Sequence, residues 1–514
     1  MTKTNNKTKN GSTNGSRKFS SQASLDSYVW SICDILRRSN CAGALQYVPE
    51  LTWILFLRIL DDTETQEAER SEAVGAKYTY SLKAPYRWQD WADPEGKKRV
   101  ELQNSALGAF FGFVNGELLP YLKGLRDKPN ANSRQKVISE ILSSIERVRV
   151  DTEKNFLDVL DKVHEIRHEN IDTTHIFALS QVYEGLLLKM GEKGNDGGQF
   201  FTPREVIRAM IRTIEPKLGK TIYDPCCGTG GFLAQSYEYL DDKLKSKDTT
   251  PDQIETLKTR TFYGREKENL IYPIALSNLV LHGIDEPHLW HGNTLTGQET
   301  YGGLFQESPS QFDYILTNPP FGGKEGMEAQ TRFAYKTRAT QILFLQHVID
   351  SLKSGGRCGI VLDEGVLFRT NETAFMQTKR KLLDDCDLWA IVSLPGGVFT
   401  AAGAGVKTNL IFFTKGRPTE KIWYYDLSDI KVGKKTPFTA KYFEDFFKFL
   451  PARADSARSW MVTRDEIEAK NFDLKAVNPN AKVDEDTRTP NQLLDLIEAK
   501  GKEVQEALAK LRKV

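Results

Sequence analysis

The stretch "FDYILTNPPFGG", residues 312–323, joins a run with strand character to a rigid corner. Two consecutive prolines remove two backbone donors and fix two φ angles, so the chain must leave the sheet there. The corner holds two acceptors, the side-chain oxygen of Asn318 and the backbone carbonyl of Pro319, with the ring of Phe321 close by. The segment from Asn318 to Phe321, including Pro320, is therefore a predicted catalytic corner. A purely structural Pro-Pro turn is the alternative.

A glycine-rich loop, "DPCCGTGGFL", follows the first predicted strand. Its glycines let the backbone turn tightly and approach a ligand at the start of a helix. The loop lacks the Gly-Lys-Ser/Thr of a phosphate-binding P-loop and the G-x-G-x-x-G of a dinucleotide site. Asp224 at the strand tip suits a ligand that carries an ammonium group. The predicted binding residues of this segment are Asp224, Gly228, Thr229, Gly230 and Gly231.

The next two strand tips also carry polar side chains. Glu266 is placed to accept two ribose hydroxyls, as the acid after the second strand does in dinucleotide folds. It follows Asp224 by 42 residues, about twice the usual ~20, and an elongated helix and loop would fill the excess. Asn293 in "HGNTL" can face an adenine edge. Each residue alone could be a solvated strand end, but three in series favour a binding site.

Short apolar strands alternate with helices from about residue 220, which predicts an α/β fold with a doubly wound, mostly parallel sheet. Ligands of such sheets lie beyond the carboxyl ends of the strands. The predicted strands are "TIYDP", "TFYGRE", "HLWHGN", "FDYILTN", "GRCGIVLD", "LWAIVSLP" and "NLIFFTKG", and the last one ends near Lys415.

Composition and periodicity change along the chain and predict five segments. The last is a helix with an apolar seam at Leu494, Ile497, Gly501, Val504, Leu508 and Leu511. A helix that packs on its own domain is the alternative to partner binding. The segments are a disordered basic tail (1–20), an all-helical amino-terminal domain (21–185), a catalytic domain (186–415), a carboxy-terminal extension (416–487) and a helical tail for partner binding (488–514).

The formal net charge of +1 excludes a global field that would attract nucleic acid. The six cysteines form no CxxC pair, which favours a reduced, cytoplasmic setting. The strongest apolar run, "WILFLRIL", is too short to span a bilayer, so a buried helix and no membrane contact are expected.

Two further patterns resemble catalytic motifs but predict no site. "HEIRH", from His164 to His168, matches the zinc-protease pattern, yet it lies in a charged helix and lacks a downstream histidine at metzincin spacing. We therefore expect no metal. The Pro225-Cys226 pair is similar to the nucleophile of cytosine-C5 methyltransferases, but it lies inside the glycine loop, where that mechanism has no use for it.

The ordered set "GGQFFTPREV", "DPCCGTGG", "YGRE", "HGNTL" and "TNPPFGG" resembles the modification subunit of type I restriction–modification systems. The resemblance implies a seven-stranded S-adenosylmethionine-dependent methyltransferase sheet and adenine-N6 methylation of DNA. It also implies a separate specificity subunit, a second copy of the chain and a restriction subunit as partners. By this resemblance Glu266 binds the ribose, and the methionine part lies on Asp224 to Gly231 together with Gln199, Phe200, Phe201, Thr202, Pro203 and Arg204.

The corner suits this reaction, because the lone pair of the adenine amine is delocalised into the ring. Acceptors at Asn318 and Pro319 would draw the amine toward tetrahedral geometry, and Phe321 would stack on a base that has left the duplex. Two alternatives stay open: an RNA guanine or protein glutamine methyltransferase with a similar corner, and an inactive DNA-binding scaffold.

Overall fold

A computed structural model describes residues 22–166, 202–244, 249–301, 303–305, 308–399, 406–433, 436–480 and 489–511. The predicted basic tail (1–20) lies outside these ranges, as do Gln199, Phe200 and Phe201. Within the described ranges, no helix is long and apolar enough to cross a membrane.

The first described range, residues 22–166, is helical, as predicted. The run Trp53–Leu60 is buried on every side, so it is the expected core helix. Its one charged residue, Arg58, donates to Asp62 one turn later at 3.4 Å. The helices are α1 (Gln22–Arg38), α2 (Ala44–Ala73), α3 (Trp88–Trp91), α4 (Lys97–Gln103), α5 (Ala109–Phe113), α6 (Leu119–Lys123), α7 (Ser133–Leu142) and α8 (Glu153–His164), with a π-helical turn at Val114–Leu118 and a 3-10 turn at Gly124–Asp127.

In the described ranges, ten strands form one sheet, in the order β10-β9-β7-β8-β6-β5-β1-β2-β3-β4. Five neighbouring pairs are parallel and four are antiparallel. The strands are β1 (Ile222–Asp224), β2 (Phe262–Glu266), β3 (His288–Asn293), β4 (Gln298–Tyr301), β5 (Phe312–Thr317), β6 (Leu352–Asp363), β7 (Cys386–Ser393), β8 (Thr408–Lys415), β9 (Lys421–Asp426) and β10 (Ser459–Thr463).

The predicted count of seven strands is wrong, because three more strands join the sheet. All seven predicted segments are strands, namely β1, β2, β3, β5, β6, β7 and β8. β4 pairs antiparallel with β3 at one edge, while β9 and β10 extend the other edge beyond β7. The sheet therefore continues past Lys415, into the segment predicted to be a separate extension.

Both faces of the sheet are covered, as the doubly wound prediction requires. Ile222 and Leu316 belong to one buried cluster and their neighbours Tyr223 and Ile315 to another, as the two-residue period of a strand dictates. The remaining helices are α9 (Arg204–Ile214), α10 (Gly231–Leu244), α11 (Pro251–Thr259), α12 (Ile271–Leu281), α13 (Met327–Gln330), α14 (Thr340–Ser351), α15 (Glu364–Phe368), α16 (Thr373–Asp385), α17 (Glu444–Phe449), α18 (Arg464–Ala469) and α19 (Pro490–Leu511), with a 3-10 turn at Ala440–Phe443.

One arginine connects the helical region to the sheet region. Arg134, at the start of α7, donates to both carboxylate oxygens of Glu67 in α2, at 2.6 and 2.8 Å. It also donates to Asp285 at 3.2 Å, in the loop between α12 and β3. Its guanidinium is 16% exposed, so water screens this network only in part.

Candidate active site

Two adjacent parallel strands, β1 and β5, end side by side and place Asp224 beside Thr317. The carboxylate oxygen Oδ1 of Asp224 accepts from the Thr317 hydroxyl at 2.7 Å and from the backbone N–H of Cys226 at 3.2 Å. Burial raises the pKa of Asp224 to about 7, and these two hydrogen bonds only partly oppose the shift. A cationic ligand group would stabilise the ionised form of this carboxyl.

The glycine loop turns directly above Asp224. Gly228 and Gly230 have φ angles of 52° and 81°, in the left-handed region that favours glycine. A Cβ at Gly231 would lie 3.1 Å from the Ile207 side chain of α9, which is tighter than ordinary packing. The glycines therefore permit both the turn and the close approach of α10 to α9.

Glu266, at the end of β2, faces the same loop. One oxygen of its carboxylate accepts from the backbone N–H of Gly228 at 2.9 Å, and the other accepts from that of Glu268 at 2.8 Å. Burial raises the pKa of Glu266 to about 7, and the backbone hydrogen bonds lower it in part. The backbone N–H of Lys267 also bonds this carboxylate, which has about four lone-pair positions, so it keeps capacity for a ligand hydroxyl.

A single cavity joins the three strand tips to the corner. Asn293 reaches it from β3, although its side-chain oxygen already accepts from the backbone N–H of Leu295 at 2.9 Å. Two helices, α10 and α11, occupy the interval before Glu266, where one helix and a loop were expected. The predicted residues that line the cavity are Thr202, Asp224, Gly228, Thr229, Gly231, Glu266, Asn293, Asn318 and Pro320.

The corner fixes the orientation of the Asn318 amide. Its nitrogen Nδ2 donates to the hydroxyl of Thr202 at 3.0 Å, so the oxygen Oδ1 points the other way. Oδ1 is buried and has no hydrogen-bond partner. Leaving a buried acceptor unpaired costs about 1–3 kcal/mol, so this oxygen is a prepared position for a donor from a substrate.

The other corner residues have contacts of their own. The carbonyl of Pro319 accepts from the side-chain amide of Gln341 at 3.1 Å. The ring of Phe321 packs edge-to-face against Phe399, with centroids 5.4 Å apart.

Five predicted residues in the described ranges do not line the cavity. Pro203 precedes α9 and Arg204 begins it, which positions Thr202 over the corner. Pro203, Arg204, Gly230, Pro319 and Phe321 are not among the residues that line the cavity.

The discounted motifs are described only in part, and their described residues have contacts of their own. Atom Nδ1 of His164 accepts from the indole N–H of Trp88 at 3.1 Å, and His168 lies outside the described ranges. In the described part of the chain, no group of three or more His, Cys, Asp or Glu side chains could hold a metal ion. Burial, reinforced by Asp224, raises the pKa of Cys226 well above its ordinary value, which disfavours the nucleophilic thiolate.

Among the residues that sequence reasoning missed, two have side chains that donate hydrogen bonds to predicted site residues. Thr317 immediately precedes Asn318, and its hydroxyl bonds Asp224, which strand alternation along β5 could have indicated. Gln341 has no such signal, because its contact with Pro319 depends on how α14 packs against the sheet.

Two family models match the chain. The model described as N-6 DNA Methylase matches residues 174–488, and the one described as HsdM N-terminal domain matches residues 25–145. The methylase subunit of the type I restriction enzyme EcoEI of Escherichia coli is 34% identical over 96% of this chain and 97% of its own length. The EcoKI methylase subunit of Escherichia coli strain K12 is 31% identical over 81% of this chain and 74% of its own length.

Solved structures agree with these matches. A modification subunit from Vibrio vulnificus YJ016 is 29% identical, with a TM-score of 0.76, over 91% of this chain and 99% of that one. A chain from a type I restriction–modification complex is 34% identical, with a TM-score of 0.68, over 95% of this chain and 98% of that one.

Proposed function

This chain belongs to the methylase (modification) subunits of type I restriction–modification systems, and we propose how its site carries out adenine-N6 methylation of DNA. The observation that carries the proposal is the buried, unpaired oxygen of Asn318 at the wall of a cavity that two buried acids also line. This arrangement joins an acceptor for an amine to a cradle for a charged cofactor.

The strand tips fit S-adenosylmethionine. Its ammonium group would lie at Asp224, and its ribose would donate to the carboxylate of Glu266. The turn at Gly228 permits the close backbone approach that the methionine part requires. When bound, the cofactor supplies a methyl group carried on a positively charged sulfur.

The corner activates the target amine. Asn318 Oδ1 accepts one N–H of the adenine amino group, and the Pro319 carbonyl accepts the other through its second lone pair. The two hydrogen bonds would draw the nitrogen toward tetrahedral geometry. Its lone pair could then form the bond to the methyl carbon while the methyl–sulfur bond breaks and its electron pair stays on sulfur, which becomes a neutral thioether. The amine becomes acidic as it attacks and releases its proton to water, so the corner needs no strong base.

Access to the amine requires that the adenine leave the duplex. Phe321 is half-buried beside the corner and offers a ring on which the extruded base stacks. We further propose that a specificity subunit chooses the DNA site, and that a second copy of this chain and a restriction subunit complete a cytoplasmic complex. We retain the proposed catalytic (186–415) and helical (21–185) domains, with β9 and β10 added to the sheet of the former.

The test is Asn318→Ala in the complex with the specificity subunit, with N6-methyladenine measured by mass spectrometry. We expect loss of methyl transfer with S-adenosylmethionine affinity within about two-fold of the unmodified chain, since a factor of two is only about 0.4 kcal/mol. Asn155→Ala, a half-buried asparagine on α8 that does not line the cavity, is the control and should methylate normally. Full turnover by Asn318→Ala would contradict the mechanism.

A further inference from the structure

A buried glutamine reaches the catalytic corner from a helix that supplies none of the predicted site residues. Gln341, the second residue of α14, is 3% exposed. Its amide nitrogen donates to the carbonyl of Pro319 at 3.1 Å, and its amide oxygen accepts from the backbone N–H of Asp363 at 3.0 Å. Asp363 ends β6, so Gln341 connects the corner to the neighbouring strand end.

This contact bears on the reaction because a carbonyl oxygen has two lone pairs. Gln341 occupies one of them, and its own oxygen is held by Asp363, so the amide cannot rotate without losing a buried hydrogen bond. The Pro319 carbonyl is thereby fixed in direction, and its second lone pair is left for an incoming N–H. Thr202 does the same for the other acceptor, since it binds the nitrogen of the Asn318 amide.

We propose that Gln341 is a positioning residue that aims the Pro319 carbonyl at the target amine. This inference rests on the proposed function, because it assigns Gln341 a role in that reaction. Gln341 does not touch the substrate; it acts through Pro319. Its removal should lower the rate of methyl transfer and leave the affinity for S-adenosylmethionine unchanged.

The decisive variant is Gln341→Glu, which keeps the size and the acceptor oxygen. An ionised carboxylate cannot donate to the Pro319 carbonyl, whereas a protonated carboxyl can. Asp363 donates to this position through its backbone N–H, Glu364 follows Asp363 in the chain, and Glu325 contacts the neighbouring Thr340. Burial near these groups should raise the pKa of the new carboxyl. Glu364 pairs with Lys475 at 2.9 Å, and Glu325 accepts from the Thr340 hydroxyl at 2.9 Å.

The same helix offers a matched control. Gln346 is 1% exposed, donates to the carbonyl of Tyr335 at 2.9 Å and accepts from the Tyr335 N–H at 3.0 Å. Gln346→Glu therefore places the same carboxyl on the same helix with an equivalent pair of backbone contacts. It does not touch the corner.

The experiment measures single-turnover methyl transfer by the complex with its specificity subunit, at saturating S-adenosylmethionine, from pH 6 to pH 8.5. We expect Gln341→Glu to be slower than Gln346→Glu by at least about ten-fold at high pH, which is about 1.4 kcal/mol. The difference should shrink toward low pH, where the new carboxyl regains its proton. S-adenosylmethionine affinity, measured by calorimetry at one pH, should match between the two variants.

Equal rates for the two variants across the pH range would overturn the assignment while the proposed function stands. If the unmodified complex forms no N6-methyladenine, the proposed function fails and the assignment fails with it. Should Gln341→Glu not fold, Gln341→Leu replaces it. A low rate at every pH with normal cofactor affinity then supports the assignment, and an unmodified rate overturns it.

Discussion

Cofactor binding should depend on pH through the carboxyl at the end of β2. The informative change is Glu266→Gln, which keeps the shape of the side chain but cannot ionise. In the folded chain, burial raises the pKa of Glu266 from 4.5 to about 7. Ribose hydroxyls donate more strongly to a carboxylate than to a carboxylic acid, so the ionised form should bind S-adenosylmethionine.

The magnitude follows from this pKa. With a value of about 7, roughly a tenth of Glu266 is ionised at pH 6 and roughly three quarters at pH 7.5. If only the ionised form binds, Glu266 strengthens cofactor affinity about eight-fold over this window, or about 1.2 kcal/mol. Asp224 has a pKa raised in the same direction, so the unmodified chain should change by more than this amount.

The folding stability of the ligand-free chain should change with pH in the opposite direction to cofactor affinity. Because the folded pKa of Glu266 lies above 4.5, the folded state holds this proton more tightly than the unfolded state does. The resulting stability is present below pH 4.5 and is lost as the pH rises through about 7. The melting temperature without cofactor should therefore fall across this range, and added S-adenosylmethionine should raise it more at pH 7.5 than at pH 6.

Calorimetry at constant ionic strength between pH 6 and pH 7.5 is the assay. Glu268→Gln is the matched control, because the half-exposed side chain of Glu268 also lines the cavity but hydrogen-bonds Glu266 only through its backbone N–H. Its carboxylate raises the pKa of Glu266 less than burial does, so this control should keep most of the shift. In the unmodified chain, Glu266 should strengthen cofactor affinity about eight-fold between pH 6 and pH 7.5. We expect Glu266→Gln to lack this increase and Glu268→Gln to retain it. Full retention of the dependence by Glu266→Gln would remove this carboxyl from the cofactor site.

Two further predictions concern stacking and stability. Phe321→Ala should remove about 1–3 kcal/mol of stacking and lower kcat/KM for DNA accordingly in methylation assays. The affinity for S-adenosylmethionine should stay unchanged. Equal weakening of both would show that Phe321 does not stack on the target base. Arg134→Ala should lower the free energy of unfolding in urea by about 1.5–3 kcal/mol, since it removes charge-assisted hydrogen bonds from Glu67 and Asp285. Among the described residues, the two carboxylates then keep only the Tyr78 hydroxyl and Lys258. The control, Arg260→Ala, breaks an exposed ion pair and should cost no more than about 1 kcal/mol.

The strand pattern was readable where the sheet is buried on both faces, and it failed at both edges. The polar run at Gln298–Tyr301 has no strand periodicity, so β4 could not be predicted. The run "KIWYYD" at Lys421–Asp426 does have strand character. It lies beyond residue 416, where the sequence becomes charged and less regular, so the local pattern alone did not predict that the sheet continues.

Some contacts of the site could also be predicted from the sequence, and others could not. Asp224, Glu266 and Asn318 stand at strand ends, and parallel strands bring their carboxyl ends to one edge, so their proximity follows from sequence order. The contacts of Asn318 with Thr202 and of Pro319 with Gln341 join segments 116 and 22 residues apart. They depend on how α9 and α14 pack on the sheet, which no local pattern encodes.

Substitutions in the final helix, α19, can test the proposal that a partner subunit chooses the DNA site. Four of its seam residues are strongly exposed: Leu494 (59%), Ile497 (66%), Val504 (58%) and Leu508 (47%). Burial of such side chains in a partner is worth about 1.5–3 kcal/mol each at most, so one charge in the seam should weaken assembly measurably. Ile497→Asp should reduce affinity for the specificity subunit at least about ten-fold, which is about 1.4 kcal/mol.

Ala499→Asp is the control, because it adds the same charge on the opposite face of α19 at the 100° per residue of a helix. Removing residues 488–514 should abolish assembly but leave the melting temperature of the free chain unchanged, since the seam packs little surface against the chain itself. Sedimentation of the mixed subunits distinguishes these results. If the shortened chain assembles and methylates its DNA site as the full chain does, then α19 does not hold the partner, and the contact must lie on another surface.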